Sequence, residues 1–185
     1  SESLSQAVKL AENGSIVLLG IVPERPETGF GYIKTSKSEY GGTVDKFVEK
    51  PDRDTAINYI KEGCYYWNSG IFVLRASLWQ EALQKFCPDI AKAVASAWEG
   101  RENDDAFIRP EHNFFKDILA ESIDYAVMEK CAGVFDLRVI PLAAGWSDLG
   151  SFDSLYDALP KDSSGNTISE NVIHIGSKNN LIIGG

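Results

Sequence analysis

The stretch SLSQAVKLAENGSIVLLGIV (residues 3–22) decides the fold class, because its apolar pattern changes part-way along. Its first half carries apolar residues at the spacing of one helix face: Leu4, Ala7, Val8 and Ala11. Gly14 follows as the expected C-terminal cap of that helix. The second half, SIVLLGIV, is a continuous apolar run that predicts a buried strand. A helix that leads directly into a buried strand indicates an α/β domain.

The rest of the chain continues this alternation of strands and helices. TVDKFVE, YYWNSGIFVLR and VFDLRVIPL predict further strands, and helical patterns separate them. After a turn-rich linker, the tail contains short strands and turns without a helix. The predicted domains are therefore an α/β domain over residues 1–160, and a linker with the start of a small β module over residues 161–185.

Composition and charge restrict the classes of function. The chain has 185 residues, of which 44% are hydrophobic and 24% charged, as in an ordinary globular protein. Its net charge of -9 argues against nucleic acid and anionic membranes as partners. The longest apolar run, IVLLGIV, is too short to span a bilayer.

The cysteine and histidine counts bear on location and on metals. Three widely spaced cysteines without a C-x-x-C pair indicate a reducing compartment, so we expect a cytoplasmic protein. Two histidines exclude a histidine-rich metal site. A bound metal would therefore be held by carboxylates, which favours a hard cation such as Mg²⁺ or Mn²⁺.

FVEKP (residues 47–51) places two opposite charges where a strand ends. Pro51 disfavours the helical region for the residue before it, so we expect Lys50 to be extended, with Glu49 and Lys50 pointing to opposite sides. α/β proteins bind ligands at strand ends. Glu49 would accept hydrogen bonds from ligand hydroxyls, and Lys50 would pair with a phosphate. A solvated strand end is the alternative, and the residues EKP alone favour it.

Two glycine-containing stretches carry further candidates. In PETGFGYI, Gly29 and Gly31 would let a ring approach the backbone closely, with Tyr32 nearby; the alternative is a turn-rich loop. That stretch lies in a segment rich in Pro, Gly and Thr, residues 23–42, which predicts a long loop. In WNSGIF, Asn68 offers an amide just before a buried strand; the alternative is a β-bulge with a local Asn hydrogen bond.

GWSDLGSF places one further acid, Asp148, at a strand-to-helix junction. The alternative to a functional role is an N-cap or first-turn acid, which the helix dipole favours. Position alone leaves both interpretations of Asp148 open.

Taken in order, PETGFGYI, FVEKP, WNSGIF, ESIDYAVMEK and GWSDLGSF resemble the C-terminal half of the catalytic domain of mannose-1-phosphate guanylyltransferases, or GDP-mannose pyrophosphorylases. The resemblance covers nearly the whole chain and implies a Rossmann-like α/β fold with a mixed sheet. It also implies a reaction in which an oxygen of mannose 1-phosphate attacks the α-phosphorus of GTP and pyrophosphate leaves. Guanine is implied by the resemblance alone.

The resemblance also implies roles for the candidate residues. Lys50 would clamp the sugar phosphate, and Glu49 would accept from a sugar hydroxyl. The sugar-pocket positions are Gly29, Gly31, Tyr32 and Asn68. Asp148 matches one of two aspartates that hold the divalent metal, Mg²⁺ or Mn²⁺. Asp124 belongs to the substrate-binding motif without a fixed role, whereas Tyr125 and Met128 of the same motif are expected in the core.

The sequence departs from the family at the motifs that bind the triphosphate. The glycine-rich segment G-G-x-G-x-R-L and a later P-A-D-H stretch do not occur. We therefore expect a fragment that lacks the nucleotide-binding half, so that GTP would bind through the missing half. One alternative is a stand-alone sugar-phosphate-binding or regulatory module. Another is a structural fragment that forms a homo-oligomer, through a free edge of its first strand or through the β module.

Overall fold

The computed structural model describes residues 2–36, 42–169 and 171–184. Its internal contacts divide the chain into two units, Ser1–Ala143 and Ala144–Gly185. The domain boundary predicted at residues 160 and 161 stays a prediction. Residues 37–41 of the predicted long loop lie outside the described residues.

The first unit contains six α-helices among its described residues: α1 Glu2–Glu12, α2 Arg53–Glu62, α3 Ala76–Phe86, α4 Pro88–Glu99, α5 His112–Lys116 and α6 Glu129–Cys131. A π-helical turn, Asp124–Met128, leads directly into α6. The strands of this unit are β1 Ile16–Ile21, β2 Tyr32–Thr35, β3 Gly42–Val48, β4 Tyr65–Val73, β5 Glu102–Asp104, β6 Phe107–Arg109 and β7 Leu137–Pro141. The second unit contains α7 Phe152–Ala158, β8 Thr167–Ile168 and β9 Leu181–Ile182.

Five strands of the first unit form one mixed sheet, which confirms the predicted fold class. Their order is β1-β4-β2-β3-β7, and β7 returns to β1 so that the hydrogen bonds close into a ring. β1 and β7 are parallel, whereas the other neighbours are antiparallel. The expectation that the first strand has a free edge is wrong, because β4 and β7, which follow it in the same chain, bond to both of its edges.

The apolar run of β1 is continuous because both faces of this strand are buried. Ile16 and Leu18 face a core shared with the π-helical turn. Val17 and Leu19 face the other way, against α1, which contributes Ala7 and Ala11. Residues i and i+2 of a strand share a face, so helices cover both sides of the sheet here. None of the described helices is long and apolar enough to cross a lipid bilayer.

The second unit contains the short strands expected of a β module. β8 and β9 pair in parallel, with Thr167 opposite Leu181. Asn166 is fully buried beside them, where its side chain donates to the Ser177 carbonyl and accepts from the Asn180 backbone. A buried amide with both ends satisfied fixes the loop that joins the strands.

Candidate functional site

The registers of three neighbouring strands bring Gly31, Glu49 and Asn68 side by side. β2 pairs antiparallel with both β3 and β4, and the next positions of these two registers are residues 31, 49 and 68. The Asn68 backbone N–H donates to the Gly31 carbonyl at 2.7 Å. A Cβ on Gly31 would overlap the Glu49 Oε2 atom and lie 3.2 Å from the Asn68 Cβ. Any side chain at position 31 would therefore displace the Glu49 carboxylate that lies against this glycine.

Glu49 presents a buried carboxylate with one oxygen free. Its side chain is only 7% exposed, and Oε1 lies 2.9 Å from the Lys50 Nζ atom. Oε2 is buried and has no hydrogen-bond partner among the described residues. Leaving a buried polar atom unsatisfied is costly, so such an atom in a folded protein needs an explanation. A ligand hydroxyl that donates to Oε2 would supply the missing partner.

Lys50 is not extended, which corrects the sequence-based expectation. Its φ angle is +45°, in the left-handed region. That conformation costs roughly 1–2 kcal/mol for a residue other than glycine. The turn brings the Lys50 ammonium back onto the Glu49 carboxylate, so the two charges meet rather than point apart. The ion pair with a mostly buried carboxylate offsets part of the strain.

The same ion pair keeps Lys50 charged. The hydrogen bond from Lys50 to Glu49, followed by the charge of that carboxylate, raises the pKa of Lys50 above its ordinary value. Smaller contributions come from Tyr125 and Asp124. The ammonium is therefore charged at neutral pH. Because the Lys50 side chain is 54% exposed, the ammonium is also accessible to an anion.

Asn68 lies at a β-bulge, and its amide is fixed from two sides. The register between β1 and β4 shifts between Leu18 and Gly20, opposite this position. The Asn68 Oδ1 atom accepts from the Gly70 N–H at 3.1 Å, which confirms the bulge with a local hydrogen bond. The Nδ2 atom donates to Asp124 Oδ1, also at 3.1 Å. Bulges are frequent next to active sites because they re-aim a side chain.

The π-helical turn and the first residue of α6 each supply an acid to this region. Asp124 accepts from Asn68 through Oδ1 and from the Ser122 hydroxyl through Oδ2, at 2.8 Å. Glu129 accepts from the Glu49 backbone N–H at 2.7 Å. Sequence reasoning assigned no role to Glu129. Its five-residue spacing from Asp124 in ESIDYAVMEK gave no signal, because that spacing does not match the period of an α-helix.

Two further residues of the motif ESIDYAVMEK, Tyr125 and Met128, were predicted to lie in the core, and the structure confirms only one of these predictions. Met128 is fully buried, which confirms its prediction. Tyr125 is 41% exposed, so its prediction is wrong. Tyr125 is the second residue of the π-helical turn, and its electrostatic interaction with Lys50 contributes to the raised pKa of that lysine.

Gly29 and Tyr32 are not part of this group of side chains. Gly29 is exposed, and a Cβ there would meet nothing within 4 Å. Tyr32 is fully buried, packs against Tyr59, and donates from its hydroxyl to the Glu27 carbonyl at 2.9 Å. Tyr32 therefore anchors the loop that carries Gly29 and Gly31.

The residues that the structure does bring together are named here the strand-end cluster: Gly31, Glu49, Lys50, Asn68 and Asp124.

Asp148 belongs to the second unit, where it is exposed between β7 and α7. Its Oδ1 accepts from the Gly150 N–H at 3.1 Å and from the Ser154 hydroxyl at 3.5 Å. α7 is capped by Ser151, whose hydroxyl accepts from the Ser154 N–H. The helix-cap interpretation of Asp148 is therefore wrong. The two bonds to Oδ1 hold the Asp148 carboxylate at the surface, where it stays exposed.

A metal bound by this chain would take few of its side chains as ligands. No group of three or more His, Cys, Asp or Glu residues gathers in the part of the chain that the structure describes. Mg²⁺ is commonly bound through one or two carboxylates together with substrate phosphates and water. The single exposed carboxylate of Asp148 fits that kind of site.

A mixed sheet with helices on both sides, and polar and charged side chains gathered at strand ends, defines an α/β protein with a candidate site at the ends of its strands. The sequence profile of the Nucleotidyl transferase family matches residues 1–165, and the chain belongs to that family. The chain is 46% identical over 182 residues to the xanthan biosynthesis protein XanB of Xanthomonas campestris, covering 98% of this chain and 38% of XanB. It is 43% identical over 173 residues to a mannose-1-phosphate guanylyltransferase of Klebsiella pneumoniae, covering 91% of this chain and 36% of the relative.

Solved structures agree with the fold. A structure from Thermus thermophilus, titled mannose-1-phosphate geranyltransferase, matches with a TM-score of 0.76 and 30% identity, over 92% of this chain and 48% of that one. A structure titled mannose-6-phosphate isomerase, from Helicobacter pylori, matches with a TM-score of 0.71 and 34% identity, over 80% of this chain and 57% of that one. The chain thus spans less than half the length of the curated relatives named above.

Proposed function

We propose that these residues are the sugar-phosphate side of a mannose-1-phosphate guanylyltransferase, which makes GDP-mannose and pyrophosphate from mannose 1-phosphate and GTP. One observation carries the proposal: the buried Oε2 of Glu49, which has no hydrogen-bond partner in the described part of the chain, lies beside the exposed ammonium of Lys50. A sugar phosphate offers a hydroxyl to the first and an anion to the second. The names of the relatives support mannose as the sugar.

The strand-end cluster suits such a ligand in shape as well as charge. Gly31 has no side chain, so the Glu49 carboxylate and the Asn68 side chain both lie against its backbone and can face one sugar ring together. Asp124 orients the Asn68 amide. Holding a reactant in one orientation is a main source of rate enhancement in phosphoryl-group transfer. In this proposal Gly29 borders the pocket, and Tyr32 supports it from behind.

Nucleotidyltransferases of this kind use divalent metals. We propose Mg²⁺, or Mn²⁺, with Asp148 as one ligand, because hard cations prefer anionic oxygen. When bound, the metal would neutralise charge between the reacting phosphates. GTP would be held by a glycine-rich segment that does not occur in these 185 residues.

The free cysteines Cys64, Cys87 and Cys131 fit a cytoplasmic protein.

A second candidate is a sugar-phosphate-binding or regulatory module without catalysis. It is favoured by the fact that the strand-end cluster lies wholly within the first unit, whereas the sequence lacks the triphosphate motif. The two candidates differ in what a longer protein containing these residues does with GTP. Both require that the chain bind mannose 1-phosphate.

The 185-residue chain is expected to bind mannose 1-phosphate without forming GDP-mannose, because the cluster is present and the triphosphate cradle is not. Isothermal titration with mannose 1-phosphate, mannose and inorganic phosphate measures the first property. A pyrophosphate-release assay with GTP and Mg²⁺ measures the second. Clear Mg²⁺-dependent pyrophosphate release would refute the inactivity of the chain alone. Failure to bind mannose 1-phosphate more tightly than mannose or phosphate would refute the proposed site.

Gly31→Ala is expected to weaken mannose 1-phosphate binding and to lower stability by about 1–3 kcal/mol, because the added methyl group overlaps a buried carboxylate. Chemical denaturation and titration of the 185-residue chain measure the two effects. Gly29→Ala is the matched control for stability, since its methyl group meets no atom. Normal stability and binding in Gly31→Ala would mean that Glu49 moves aside freely, and that Gly31 does not shape the pocket.

A further inference from the structure

Two acids lie at the two ends of the π-helical turn: Asp124 begins it, and Glu129 follows it as the first residue of α6. The Glu129 backbone N–H donates to the Asp124 carbonyl, which is the i to i+5 bond of a π-helix. In a regular α-helix, residues five apart would point about 140° apart around the axis. Across the wider turn, both side chains instead reach the ends of neighbouring strands, where each accepts a hydrogen bond. Single π-turns inside α-helices are frequently found at functional sites.

Each acid holds a different strand of the strand-end cluster. Asp124 accepts from the Asn68 side chain on β4. Glu129 accepts, at 2.7 Å, from the backbone N–H of Glu49, just after β3 ends. This second bond lies immediately before Lys50, whose backbone is in the left-handed region. The strained turn that brings Lys50 to Glu49 is therefore fixed from outside by Glu129.

We propose that Glu129 is a positioning residue for mannose 1-phosphate: it holds the Glu49 backbone so that the Glu49 carboxylate and the Lys50 ammonium face one ligand together. The inference rests on the proposed function, because it assigns Glu129 to that same site. Glu129 does not touch the sugar in this arrangement. It acts through the Glu49 N–H, and a neutral acceptor of the same length serves the same purpose.

The acceptor is isolated by comparing Glu129→Gln with Glu129→Met in the 185-residue chain. Both side chains have nearly the length of Glu, but only Gln keeps an oxygen that accepts from the Glu49 N–H. Glu121→Gln, an exposed acid in the segment before the π-helical turn, is the control for loss of charge. Two measurements are made on each variant: hydrogen exchange of the Glu49 amide by NMR, and titration with mannose 1-phosphate.

Glu129→Met is expected to speed exchange of the Glu49 amide and to weaken mannose 1-phosphate binding at least about tenfold, which corresponds to one lost hydrogen bond to a charged group. Glu129→Gln is expected to stay within about threefold of wild type in both measurements. The inference is overturned if Met and Gln bind equally well, or if both lose binding while the Glu49 amide stays protected. Absence of binding in the wild-type chain would instead overturn the proposed function, and the inference with it, whatever the amide exchange shows.

Discussion

Lys50→Met is expected to raise the KM for mannose 1-phosphate by about 30-fold and to leave the KM for GTP nearly unchanged. This test uses an enzyme that carries these residues together with the glycine-rich segment. Truncating one partner of a buried, hydrogen-bonded charge pair costs roughly 2–5 kcal/mol. The Lys50 side chain is 54% exposed, so the lower end of that range applies. Initial-rate kinetics with each substrate varied in turn measure the two constants.

The variant also leaves the Glu49 carboxylate buried without its cation, which lowers stability. The double variant Glu49→Gln, Lys50→Met removes that buried charge, and it is expected to recover stability but not mannose 1-phosphate binding. Lys46→Met, at an exposed position of β3, is the control for losing a surface charge. Equal losses for both substrates would show that Lys50 supports the fold rather than the sugar phosphate.

The pattern of residues 3–22 was sufficient to predict the α/β class, because its first half forms a helix that buries Ala7 and Ala11 and its second half forms a buried strand. Leu4 and Val8 of the predicted helix face are exposed. β2 was missed because its four residues lie in a loop-like segment rich in Pro, Gly and Thr. Tyr32–Thr35 become a strand only through pairing with β3 and β4. Such pairing between distant segments is a tertiary effect that overrides local composition.

The first strand shows a different limit of sequence reasoning. Its run of apolar residues indicates burial on both faces, but it carries no information on which strands lie beside it. The absence of the upstream motifs suggested a free edge. In the structure β7, which follows some 115 residues after β1, forms the parallel neighbour at that edge.

Lys50 illustrates why the conformation of the site could not be predicted. The preference of a pre-proline residue for extended backbone is a local effect. Two contacts overcome this preference. Glu129, from outside the FVEKP stretch, accepts from the Glu49 N–H, and within the stretch Lys50 forms an ion pair with Glu49. Glu129 itself was missed because its five-residue spacing from Asp124 has no meaning in an α-helical period. In the structure a π-turn joins the two residues, and each acid accepts a hydrogen bond at a strand end.

Asp148→Asn is expected to reduce turnover by orders of magnitude in an enzyme that carries these residues together with the glycine-rich segment, while the melting temperature stays near that of wild type. The substitution removes the negative charge, and hard divalent cations prefer anionic oxygen. The metal neutralises charge between the reacting phosphates, so its loss acts on the chemical step. Steady-state kinetics over a range of Mg²⁺ and Mn²⁺ concentrations measure turnover, and thermal unfolding measures stability.

Stability is expected to survive because Asp148 does not cap α7, and because an Asn Oδ1 can still accept from the Gly150 N–H. Ser151→Ala is the matched opposite: it removes the actual cap and is expected to cost about 1 kcal/mol of stability without changing the metal requirement. Asp153→Asn, an acid in the first turn of α7, controls for the loss of a charge near the helix dipole. If Asp148 is a metal ligand, only Asp148→Asn shows low turnover, and that turnover partly recovers when the Mg²⁺ or Mn²⁺ concentration is raised. Near-normal turnover in Asp148→Asn, or equal losses in Asp148→Asn and Asp153→Asn, would show that this carboxylate does not hold the metal.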